Sequence, residues 1–67
     1  MNSKFIILTH FDETEIIINV NMILSVETIM LDGIERTRVN FIDNKKSEIV
    51  NEVPSEIYEI LKLKGLT

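Results

Sequence analysis

From Ile18 to Val26 every even-numbered position is apolar, while Asn19, Asn21, Ser25 and Glu27 hold odd-numbered ones. A repeat of two means successive side chains leave a pleated backbone on opposite sides, so the stretch reads as β-strand with one buried face. Ile17, Ile23, Ile29 and Leu31 break the rule by placing further apolar groups on the nominally wet face. The segment from Glu15 to Leu31 therefore demands cover on both sides, and the rest of the chain must be arranged to supply it.

Read in order, Lys4 to Phe11 is a first strand rich in β-branched and aromatic residues, with Phe5, Ile7, Thr9 and Phe11 on one side and Ile6, Leu8 and His10 on the other. Asp12-Glu13-Thr14 forms a short polar turn in which the Asp12 carboxylate can accept a hydrogen bond from the backbone two residues on. A second strand spans about 15–19 and a third about 22–31. Asn19-Val20-Asn21 is the natural place for a bend or bulge between them, because Asn is depleted in strands and tolerates turn conformations; one continuous strand is the alternative. Asp32-Gly33 signals a hairpin turn of the primed type, which needs positive φ. A fourth strand covers about 36–42, with Thr37, Val39 and Phe41 opposite Arg36, Arg38 and Asn40. Asp43-Asn44 turns into a fifth at about 45–51, where Ile49 is the clearest inward residue.

After Glu52 the period lengthens to that of a helix, with Ile57, Ile60, Leu61 and Tyr58 along one stripe. Pro54 suits the first helical position, Glu56 and Glu59 lie toward the positive end of the helix dipole, Lys62 and Lys64 occupy the last turn, and Gly65 can end it. A helix over about 54–64 is marginal alone and must lean on the sheet. The expected fold is mainly β, of the α+β kind: one domain over 1–67, a five-stranded antiparallel meander with one C-terminal helix.

Composition narrows the function classes. At 67 residues a folded chain hides only roughly 60% of the surface its unfolded form exposes, yet 45% hydrophobic residues suffice for a thin core. No apolar run is long enough to span a bilayer, and the start has no cleavage-site pattern, so a cytoplasmic protein is expected. The absence of Cys excludes disulfides and thiolate metal sites. A net charge of −4 argues against nucleic acid bound through a broad basic face.

His10, Asp12, Glu13 and Glu15 are the one compact group of ligand-type residues, and turn chemistry accounts for their clustering. No nucleophile motif, Gly-rich phosphate loop or paired-acid frame is present, so no catalytic, cofactor or metal residue is assigned and an enzyme is not expected. Arg36, Arg38, Lys45 and Lys46 could form a local basic patch for an acidic partner, or for nucleic acid in an alternative reading as a small regulatory binder. The apolar surplus points elsewhere. Ile6, Ile7 and Leu8, then Ile16, Ile17 and Ile18, project to both faces, whereas one short helix covers one. Either the sheet curls into a half-barrel that shields both, or a second subunit covers the other face. Self-association is favoured, with Ile6, Leu8, Ile17, Ile23 and Ile29 as interface candidates.

Five segments also carry a family resemblance: ILT at Ile7 to Thr9, EIIIN at Glu15 to Asn19, NVNMILSVE at Asn19 to Glu27, VNFIDNKK at Val39 to Lys46, and the Pro-led PSEIYEIL at Pro54 to Leu61. Together they resemble the small flagellar-operon proteins called FlbD, whose relatives are named as swarming-motility proteins. Two departures stand out. Glu13 sits where that family usually has Gly in the first turn, and Thr28 to Glu35 is longer than its usual link. The resemblance implies a small cytoplasmic accessory protein of flagellar motility, a non-catalytic interaction or scaffold module, and carries over no catalytic residue.

Overall fold

A computed structural model describes residues 4–43 and 46–65. Five antiparallel strands divide between two sheets, followed by a single helix: β1 (Phe5–Thr9) and β2 (Glu15–Asn19) form a hairpin, and β3 (Ile23–Leu31), β4 (Ile34–Phe41) and β5 (Glu48–Val50) a three-stranded sheet ahead of α1 (Pro54–Leu63). The expected mainly β architecture with a C-terminal helix is what the chain adopts. The single expected meander is broken at Val20–Met22, one turn of 3₁₀ helix. Asn19 causes the break locally: its side-chain oxygen accepts from the Asn21 N–H at 3.0 Å, offering the backbone a partner other than a neighbouring strand.

Turn chemistry sets the first two hairpins. In the first, Asp12 accepts from the Thr14 N–H at 3.1 Å and from its hydroxyl at 2.6 Å, and Glu13 takes φ +75°. In the second, Asp32 and Gly33 both have positive φ, +53° and +77°, between the paired Leu31 and Ile34. Two consecutive positive φ values define a type I′ turn, whose twist matches that of the strands it joins. Thr28 to Glu35 is thereby the distal end of a long hairpin. Leu24 is the extra residue of a bulge where the register shifts between Ile23 and Ser25.

The two sheets meet through their inward residues. Ile6, Leu8 and Ile18 from the hairpin and Val39 and Val50 from the larger sheet are buried with Ile57 of α1, and Ile16, Val26, Phe41, Ile60 and Leu61 pack around them. In β5 the inward residue is Val50, opposite buried Thr37, while Ile49 faces outward beside Arg38. This reverses the expected phase, because a three-residue strand is too short for its own pattern to declare a face.

Polar contacts clasp the hairpin and β4 to the loop before the helix. Glu52 accepts from the Thr9 N–H at 2.9 and 3.1 Å and from its hydroxyl at 2.9 Å. The Glu52 carbonyl accepts from the hydroxyl of buried Thr37 at 2.6 Å. Asn51 donates its N–H to the Thr9 carbonyl at 2.8 Å and its amide to that of His10 at 3.1 Å. Beside them His10 forms a lone bridge with Val50. The clasp sets where α1 begins, and the Val53 N–H donates to Glu56 at 3.0 Å. Val53 has no polar side chain, so only this reciprocal half of a capping box forms. At the other end the Gly65 N–H reaches the Lys62 carbonyl at 3.0 Å with φ +70°.

Candidate functional site

The candidate interface residues separate once the sheets are placed. Ile6 and Leu8 are wholly buried and belong to the core, not to an outer interface. They share the strand with Ile7 but lie on its inward side, a distinction that a run of three apolar residues conceals. Ile23 is half-buried against the core, and Ile29 is half-buried opposite Arg36. Ile17 is the candidate that stands free, 68% exposed, paired with Ile7 at 54% and next to Phe5 at 49%. These three make an apolar patch on the outer face of the hairpin.

The edge of β2 is the second part of the site. Among the described residues β2 pairs with β1 alone. The phase of that ladder follows from its ends: the Val20 N–H donates to the Lys4 carbonyl and the His10 N–H to the Thr14 carbonyl, each at 2.7 Å between directly opposed residues. In an antiparallel pair such hydrogen-bonded positions alternate with positions whose N–H and C=O point away. Ile16 and Ile18 therefore bond inward to β1, and Glu15, Ile17 and the Asn19 N–H face the open edge, while the Asn19 carbonyl, at the N-cap of the 3₁₀ turn, accepts that turn's first bond. The same phase predicts that Thr9 points outward on the far side of β1, where its N–H and C=O meet Glu52 and Asn51.

A groove of about 540 Å³ runs along that open edge, lined by Ile16 to Asn19 on one side and by Met22, Phe41, Asp43, Lys46 and Glu48 on the other. Consecutive β2 residues point to opposite faces, so a groove lined by all of them follows the strand's edge. Its walls are mainly apolar, with charge of both signs at Asp43, Lys46 and Glu48.

The polar candidates form no comparable site. His10 Nδ1 lies 3.2 Å from the Thr14 hydroxyl and Nε2 lies 2.9 Å from Glu48 Oε1. The order Thr, His, Glu has the outline of a nucleophile, a base and an orienting acid, but the Thr14 proton is directed at Asp12, 2.6 Å away. The hydroxyl is thus not donating to the imidazole that would have to activate it. That bond is the largest reason the Asp12 carboxyl titrates below its ordinary range, followed by the Thr14 backbone N–H and the charge of His10. Among the described residues no three His, Asp or Glu side chains converge as metal ligands would.

Of the basic candidates, Arg36 and Arg38 share one face of β4. Arg38 pairs with Glu27 at 3.0 Å, and Arg36 lies over the Phe11 ring at 6.0 Å, both on the outer face of β4. Lys46 borders the groove on the inward side, and Lys45 lies outside the described residues. Sequence reasoning found Ile17 but missed the edge and the groove, because both are made by partners distant along the chain. Among the described residues no helix is long and apolar enough to cross a membrane. Compared with family models, curated proteins and solved structures, the chain finds no match.

Proposed function

We propose that this chain is a non-catalytic protein-interaction module, a small cytoplasmic accessory protein that works as a homo-oligomer and, as its resemblance to the flagellar-operon proteins implies, serves motility. The observation that carries the reading is the exposed Phe5, Ile7 and Ile17 patch beside a strand edge that is unpaired among the described residues and an apolar groove. Exposed apolar surface that adjoins free backbone groups is what association consumes.

The test compares wild-type protein with Ile17→Lys by light scattering on a sizing column over a concentration range. Ile17 is mostly exposed, so the variant should melt within about 0.5 kcal/mol of wild type. The expected result is a multiple of 7.8 kDa for wild type and a smaller assembly for the variant. A wild-type monomer at every concentration, together with no protein retained from the source cell on immobilised wild-type chain, would overturn the module reading. For the motility clause, deletion of the gene should weaken swarming, and unchanged swarming removes that clause.

A further inference from the structure

We infer that the open edge of β2 is occupied by β2 of a second copy of this chain, antiparallel, about a two-fold axis through Ile17. The inference rests on the interaction-module reading and specifies its geometry.

Three observations lead there. First, the outward-facing residues of β2 are Glu15, Ile17 and Asn19, as the bonds at Lys4–Val20 and His10–Thr14 require. A second strand can pair only in registers that set these residues against one another. Second, the registers differ in charge. Centred on Glu15, the pairing sets two carboxylates face to face, which is unfavourable for directly opposed like charges. Centred on Asn19, it opposes Asn19 to itself and leaves Glu15 with no outward-facing partner; centred on Ile18 it likewise leaves Glu15, and centred on Ile16 it leaves Asn19, without one. Centred on Ile17, it pairs Ile17 with its own copy and Glu15 with Asn19 at both ends. That register engages every outward-facing residue and opposes no like charges.

Third, the outer face supplies exposed apolar side chains at the axis. On the outer face the two copies of Ile17 become neighbours and extend the Phe5 and Ile7 patch across the axis. On the inner face Ile18 is already buried in its own core, and half-buried Ile16 lies at the mouth of the groove that Met22 and Phe41 line. The self-match of Glu-Ile-Ile-Ile-Asn is a property of this segment, and it is what an isologous two-fold contact needs. The open side of β3 is less suited to the role. It begins with the Leu24 bulge and carries Glu27 paired to Arg38, devices that discourage edge pairing, and α1 packs against this strand.

The experiment uses two variants and a mixture. Ile17→Lys and Ile17→Glu each place like charges opposite one another across the axis, so each alone is expected to be monomeric by light scattering. Mixed in equal amounts they oppose Lys to Glu, and the dimer mass is expected to return. In parallel, hydrogen exchange of wild-type protein should show concentration-dependent protection at the Glu15, Ile17 and Asn19 amides. An assembly that forms while these amides exchange freely, or one that mixing fails to restore, would overturn the edge contact and leave self-association through another face standing. A wild-type monomer that retains another protein on its β2 edge would likewise overturn the second copy as occupant, without touching the module reading.

Discussion

Thr37 offers the sharpest test of how the two sheets are held together. Its side chain is wholly buried, and its hydroxyl donates to the Glu52 carbonyl at 2.6 Å, while the Glu52 carboxylate receives Thr9 from the other sheet. Thr37→Val keeps the shape and removes the donor. The lost bond is worth about 0.5–1.5 kcal/mol net, and a carbonyl left without its partner adds toward the upper end of about 1–3 kcal/mol for an orphaned buried group. Glu52 is only half-buried, so water recovers part of this and about 1–2 kcal/mol is the expected loss. A chain of 67 residues has a total stability of about 3–10 kcal/mol, and a change of this size should lower the melting temperature by roughly 4–16 °C. Thr9→Val, which loses a bond to a half-exposed carboxylate, should cost about 1 kcal/mol. Because both hydroxyls engage one residue, the double variant should depart from additivity by at least about 0.5 kcal/mol. Urea unfolding followed by circular dichroism measures all three. A Thr37→Val protein as stable as wild type, or costs that simply add, would refute the clasp.

Glu13 holds φ +75°, a region where a side chain is strained and glycine is not. Glu13→Gly should raise stability by about 0.5–1 kcal/mol in the same assay, net of the entropy glycine adds to the unfolded chain. Asp12 supplies a pH signature. Its folded carboxyl is lowered below the ordinary value, so its contribution is present above the unfolded pKa and is lost as pH falls through the folded one. The stability difference between wild type and Asp12→Asn should be constant near neutrality and shrink toward zero in the acid range below about pH 4. A difference that persists unchanged into acid would contradict the Thr14 bonds as the cause.

What could be read from the residues was what neighbours in sequence decide. Asp32-Gly33 announced a primed turn, Asp12 its hydrogen bond to Thr14, and Pro54 through Gly65 a helix with both ends marked, and each is present. The two faces of β1 were separable by alternation, yet which face is inside was not, since Ile6, Ile7 and Leu8 are all apolar. Ile6 and Leu8 are buried because Val50 and Ile57, more than forty residues later, come to lie against that side. Arg36 and Arg38 point outward from β4, while Lys46 precedes a strand that begins only at Glu48. Glu52 carried no local sign of its role, because both of its partners, Thr9 and Thr37, sit on strands that its own segment reaches only after folding.

The type I′ hairpin has a consequence for the order in which this fold is acquired. The β3–β4 hairpin closes around two residues, so little chain entropy opposes it and it can form early. The β1–β2 hairpin can also close locally, but its inward isoleucines have nothing to rest on until Val50 and Ile57 arrive. During synthesis the first third of the chain therefore emerges as a ribbon with both faces uncovered. It stays so until the last quarter follows, and in that interval a neighbouring nascent copy is the nearest matching strand.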